Sequence, residues 1–312
     1  MRRFTVKSDS RSGLNLTTLA LPVVLFILLT TTARGFASWE NLSNLCSQIA
    51  ALVIVSLGQM MVALVAGLDL SVGSVISLVT CVLATAGWPL MLTVPLCLAI
   101  GVMVGLANGW GVAMLGIHPI VMTLSSMTFL QGATFVWQGI PGGHVPAVLS
   151  EIGSGQILGV PNSLLWSALC ALVLAGVLNW KRFGLHLFAV GGNSASARLN
   201  GVAIRRITVS AYVLCSVLAV IAGLYLAGRI ASGDPKIGAS FGIDSVTAIA
   251  LGGTQLSGGI GSVSSAVVGA LSLGLISNGM NLLGVSPFLQ SAAKGVVLVV
   301  VICAQRRKSV GL

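Results

Sequence analysis

From Leu70 to Ser150 the chain runs 81 residues without one Asp, Glu, Lys or Arg. A soluble domain does not sustain that, because about a quarter of its residues are charged. A membrane does: a crossing helix needs ~20 apolar residues, so the stretch has room for three spans. The whole chain is 56% hydrophobic and only 7% charged. Its long continuous apolar runs argue against a transmembrane barrel, whose short strands would alternate polar and apolar residues. With 39 glycines and 5% aromatic residues, helices packed closely through small residues are expected. The fold class read here is an all-α integral membrane protein, one polytopic domain over residues 1–312.

Turn signals divide the apolar sequence. Ser12–Ala33 holds a first span and Asn41–Leu68 a second. Gly87-Trp88-Pro89 and Gly116-Ile117-His118-Pro119 break the uncharged stretch into three, and a polar, Gly-rich loop runs from Pro141 to Asn162. Ser163–Trp180 is the sixth span and Ile207–Gly228 the seventh. Ser245–Ala304 holds three more, with breaks near Gly258-Gly259 and Ser286-Pro287. That gives about ten transmembrane helices. Basic residues collect in the N-terminal tail (1–13), in Lys181–Arg206 with five of the sixteen Lys and Arg, and in the tail 305–312. By parity all three lie on one side, and by the positive-inside rule that side is the cytoplasm. The net charge of +10 is thus a topology signal and not a nucleic-acid signal. A basic N-terminus before an apolar run also describes a secretory signal peptide, but the chain that follows is itself membrane-embedded, which favours an uncleaved first span.

The two halves echo each other. Gly67-Leu68-Asp69 opens a segment carrying Asn108-Gly109 and then Leu115-Gly116-Ile117-His118-Pro119. Gly242-Ile243-Asp244 opens one carrying Asn278-Gly279 and then Leu283-Gly284-Val285-Ser286-Pro287. The topology places Asp69 and Asp244 toward opposite sides, so the repeat is expected to be inverted, an architecture of transporters with a pathway near the repeat interface.

Catalytic chemistry is poorly supported. There are six acidic residues, and His118, His144 and His186 are scattered, with no HExxH pairing. No GxSxG element appears, and no GxxxxGK[ST] loop exists to cradle a nucleotide, so ATP-driven transport would need another subunit to hydrolyse ATP. The six cysteines sit singly in apolar runs, which supports neither a disulfide framework nor a metal site. No cofactor is implied. Lys294 lies inside the last span, placed to snorkel or to face a protein interior. The spans otherwise offer neutral polarity, and the pathway candidates are Asp69, Asn108, Thr123, Gln131, Asn278 and Asn281. Amides and hydroxyls suit a neutral polyhydroxylated solute, although each singly reads more readily as an interhelical hydrogen bond.

Within Lys181–Arg206, the small residues from Asn193 to Gly201 fit a short helix along the membrane surface, able to dock a soluble partner. Gly192 and Gly201 can turn the chain at its ends. Ser194, Ala195, Ser196 and Ala197 permit close approach, and Arg198 is the one charge between them.

Four ordered segments, GLDLSVGS (Gly67–Ser74), FAVGGNSASARLNGV (Phe188–Val202), LGGTQLSGGIGS (Leu251–Ser262) and LISNGMNLLGVSPFLQ (Leu275–Gln290), resemble hallmark segments of ribose-type sugar permeases. These are membrane subunits of bacterial binding-protein-dependent ABC importers, and the resemblance runs from about Trp39 to the C-terminus. It implies ten spans in the bacterial inner membrane and a permease dimer, homodimeric or with a related subunit. It also implies two ATPase subunits and a periplasmic sugar-binding protein. The coupling contact with the ATPase would lie in Gly192–Gly201. Such permeases often carry an acidic residue and paired alanines there; this chain has Ser194-Ala195-Ser196, with Gly201 retained. Ala66 stands where relatives tend to have a second glycine. The alternative reading is an ion-coupled secondary transporter of a small polar solute. A membrane enzyme acting on lipid is disfavoured by the lack of clustered acids and histidines.

Overall fold

A computed structural model describes residues 16–157, 159–180 and 182–305. The expectations for the two terminal tails and for Lys181 fall, wholly or in large part, outside the described residues. In chain order the elements are α1 (Leu16–Thr32), α2 (Trp39–Leu64), α3 (Val72–Thr85), α4 (Leu90–Ala113), α5 (Pro119–Trp137) and α6 (Ala147–Ser154). A two-residue strand pair, β1 (Gln156–Ile157) and β2 (Val160–Pro161), then leads into α7 (Asn162–Trp180), α8 (Arg182–Gly192) and α9 (Ser194–Leu199). The chain continues through α10 (Ile204–Ile230), α11 (Phe241–Leu251), α12 (Val263–Leu282) and α13 (Pro287–Ala304). The protein is all-α and membrane-embedded, and its ten apolar helices occupy the ten expected places. The Pro141–Asn162 loop carries more structure than its composition suggests, since α6 packs against α10.

Glycine and proline set the breaks. Gly116 and Gly284 adopt positive φ (68° and 71°), where a side chain would clash with the backbone. Pro119 and Pro287 then open α5 and α13 at the first turn, where a missing N–H costs nothing.

Among the described residues seven helices are long and apolar enough to cross a membrane, whereas α3 has 14 residues and α11 has 11. At 1.5 Å per residue these reach about 21 and 16 Å, short of the ~30 Å hydrocarbon layer. Irregular chain completes each crossing: residues 65–71 lead into α3 and 231–240 into α11. The half-helices begin against one another, with Gly73 packed on Gly238 and Gly242 on Leu70. Backbone outside a helix is tolerated at this depth only when protein or a cavity covers it, and the apposed glycines give that cover.

The halves are inverted repeats. Tyr225 Oη donates to Ser47 O (2.7 Å), while Gly58 faces Cys215, so α2 and α10 run antiparallel. Under the exchange of α2–α5 with α10–α13, three of the main contacts have their counterparts: α4 on α10 and α12 on α2, α3 on α10 and α11 on α2, α3 on α5 and α11 on α13. Small residues set these distances. Gly101, Gly105 and Gly109 turn one face of α4 to α10, and a Cβ at Gly105 would lie 2.5 Å from Val213 Cα.

Candidate functional site

The chain from Gly67 to Ser71 enters the bundle as an irregular segment beside α2 and α10. Asp69 is fully buried. Its Oδ1 accepts from the Ser71 N–H (2.9 Å) and hydroxyl (2.6 Å). Asn108 on α4 donates to Ser71 Oγ (2.9 Å), and Ser126 on α5 donates to Asn108 Oδ1. With its amide assigned so that both groups are matched, Gln59 brackets the Asp69 peptide, donating to its C=O (3.0 Å) and accepting from its N–H (3.1 Å). Thr123 Oγ1 donates to Leu68 O (3.2 Å). A continuous neutral relay thus ties the irregular crossing to α2, α4 and α5.

The second repeat closes differently. Asp244 lies in the first turn of α11, not before it, and pairs with Lys294 on α13 at 2.9 Å. The motif order seen in sequence holds, while the register of the two aspartates relative to their half-helices differs. Asn278 pairs with Asn41 on α2 through two reciprocal hydrogen bonds between their amides (3.0 and 3.2 Å), and Asn281 accepts from Gln290 (2.7 Å).

The structure therefore brings Asp69, Asn108 and Thr123 together as bonded, buried groups and leaves Asn278 in a separate buried pair. Gln131 is placed otherwise. It sits on the open side of α5, donating to Pro235 O of the second irregular segment (2.8 Å). Next to it, a cavity of about 380 Å³ lies between the start of α3, the middle of α5 and residues 236–239.

The basic segment is two consecutive short helices, not a loop with one. Gly184, Leu187 and Val190 bury one side of α8, and its C-terminal Gly191 packs on Leu64 O. Gly259 donates its N–H to that same carbonyl (3.0 Å), so LGGTQLSGGIGS is glycine-rich where it lies against α8. Asn193 Oδ1 caps α9 by accepting from Ser196 N (2.9 Å), and Asn200 Nδ2 donates to Ser196 O (2.8 Å). Gly201 (φ 76°) turns the chain toward α10. Ala197 faces inward, while Gly192, Asn193, Ser194, Ala195, Ser196 and Arg198 are exposed. Leu199, 89% exposed, was missed in the sequence because a lone Leu among apolar helices carries no signal. Among the described residues no cluster of His, Cys, Asp and Glu could hold a metal ion.

Ten apolar helices among the described residues, eight of them in two inverted repeats each with an interrupted crossing, define a polytopic transport protein of the membrane. The chain belongs to the family described as branched-chain amino acid transport system / permease component, which matches residues 41–302. It is similar to the ribose import permease protein RbsC of Escherichia coli K12, 33% identical over 92% of both chains. Its identity to RbsC of Bacillus subtilis is also 33%, over 92% of this chain and 91% of that one. The xylose transport system permease protein XylH of Escherichia coli K12 is 29% identical, over 93% of this chain and 91% of XylH. No solved structure matches the chain.

Proposed function

We propose that the chain is the permease subunit of an ATP-driven importer of a ribose-like monosaccharide in the bacterial inner membrane. The similarity over nine-tenths of its length to ribose permeases carries this reading. In it, the chain forms the pathway and is itself not catalytic; a separate ABC ATPase hydrolyses ATP. A second copy or a related permease completes the pathway, and a periplasmic sugar-binding protein delivers the solute. The termini and the α8–α9 segment lie in the cytoplasm, and α9 contacts the ATPase. The exposed face of α9 supports that assignment: Ser194, Ala195 and Ser196 let a partner approach closely, and Leu199 offers an apolar contact. Arg198 is the one charge on α9, and an exposed pair with an ATPase carboxylate contributes only ~0–1 kcal/mol.

Coexpression with a partner ATPase tests the reading. Ala195→Trp is expected to abolish transport and weaken ATPase co-purification while the permease still inserts. Normal transport by Ala195→Trp places the coupling surface elsewhere. A cysteine at Ser196 should resist membrane-impermeant thiol reagents in intact cells. Sugar uptake by the purified chain alone, driven by an ion gradient, would establish the secondary-transporter alternative.

A further inference from the structure

We propose that the cavity between α3, α5 and the irregular segment 231–240 is a subsite for the ring form of a neutral monosaccharide, read by Gln131 and Lys236 and resting on the permease reading above.

The cavity, about 380 Å³, lies where regular structure is interrupted in both repeats. Its size falls in the range of small-molecule sites, which combine apolar walls with a few placed polar groups. The polar groups here are of defined kinds. Gln131 commits its NH₂ to Pro235 O (2.8 Å), and among the described residues nothing donates to its amide oxygen. That leaves an oriented acceptor for a solute hydroxyl. Lys236 lines the same cavity. Among the described residues the recorded ion pair is Asp244–Lys294, so the Lys236 ammonium is not paired with a carboxylate there. Its backbone N–H is held by Asp234 Oδ1 (2.8 Å), which fixes the segment that carries it. An ammonium offers three donors and no acceptor, so Lys236 and Gln131 together supply donor and acceptor to vicinal hydroxyls. Thr128 adds a hydroxyl that can accept.

The rest of the lining is largely apolar, with Met127 and the Phe135 ring beside Gln131 on α5 and Leu70 and Gly73 where the chain enters α3. A cyclic sugar presents this combination: a rim of hydroxyls and a face of C–H groups that packs on an aromatic surface. The cation sets a second selectivity, since a protonated amino sugar would meet a like charge without a carboxylate lining the cavity.

Two measurements test this. In the first, the full importer is reconstituted with its ATPase and receptor, and D-ribose uptake is measured alongside receptor-stimulated ATP hydrolysis. Lys236→Gln and Gln131→Ala are expected to lower uptake per ATP hydrolysed by about tenfold, the loss of one hydrogen bond involving a charged or oriented partner. ATP hydrolysis itself should stay near wild type. Equal falls in uptake and hydrolysis, or unchanged uptake, overturn the subsite. In the second, Thr128→Cys in the permease alone, with the exposed Cys303 replaced by Ser, is alkylated in vesicles. D-ribose or D-xylose should slow labelling, glucosamine at neutral pH should not, and Lys236→Gln should remove the difference between them. Equal labelling with and without the neutral sugars overturns the subsite while leaving the permease reading intact. Protection in an assembly that moves no sugar would instead uphold the subsite and break the permease reading.

Discussion

The two repeats share a helix plan and differ in how each fastens its last helix to its interrupted crossing. Ser126 and Lys294 are both the eighth residue of a helix opened by proline, in α5 and in α13. From Ser126 the connection runs through Asn108 and Ser71 to Asp69, entirely by neutral groups until the final carboxylate. From Lys294 it is one ion pair to Asp244. The burial of the two helices explains the difference. The first relay is shielded among α2, α3, α4 and α5, where Asp69 and Asn108 are fully buried and short side chains can reach one another. No residue of α13 is buried, and it packs chiefly on α11. One long side chain there does the work of three short ones.

The comparison is tested most strongly at Lys294. Lys294→Met leaves the Asp244 carboxylate without its partner, and breaking this partly buried pair costs about 2–3 kcal/mol, between the surface and fully buried cases. The double variant Asp244→Leu/Lys294→Met should recover most of that, because an apolar pair of similar volume is often neutral. Thermal unfolding in detergent reads both. If Lys294→Met costs no more than Ser126→Ala, the two fastenings are equivalent and the contrast fails.

The glycine contacts come next. A Cβ at Gly105 meets the Val213 main chain, whereas one at Gly274 meets the flexible end of Ile49. Gly105→Ala should lose about 2 kcal/mol by overpacking, and Gly274→Ala less than about 1 kcal/mol. Equal losses would mean that the α4–α10 and α12–α2 interfaces yield alike.

Within the relay, Asn108→Ala removes the central link. It should cost about 1–2 kcal/mol, since Ser126 loses its acceptor and Ser71 loses a donor while keeping its bond to Asp69. Asn278→Ala frees only Asn41, at the edge of the bundle, and should cost about half as much.

The smallest effect is a gain. Ala66 and Ala231 both adopt left-handed backbone (φ 60° and 53°) where α2 and α10 end, a conformation that costs a non-glycine residue about 1–2 kcal/mol. Ala66→Gly and Ala231→Gly should each raise the unfolding midpoint, by about 0.5 kcal/mol once the entropy of glycine is subtracted. A loss at either site would show that its alanine methyl makes a packing contact outweighing the strain.

Much of this architecture is local, and so the sequence determined it. Where helices start and stop follows from apolar run length and from residues such as Gly116, Pro119, Gly284 and Pro287, whose backbone preferences act within one turn. The ten segments, the paired motifs and the small-residue segment around Ala195 were legible for that reason. Tertiary structure alone decided the rest. Hydropathy does not say that α3 and α11 are half-length, or that Gly73 meets Gly238, because the residues completing each crossing, with Asp69 in the first segment and Asp234 and Lys236 in the second, read in sequence as loops between full spans. Nor does it separate the bonded Asp69, Asn108 and Thr123 from Gln131 beside a cavity. All are polar residues in apolar chain, and what distinguishes them is the partner each meets: Asn108 lies 37 residues from Ser71, and Gln131 lies 104 from Pro235. Those meetings depend on how the repeats pack, which no single segment encodes.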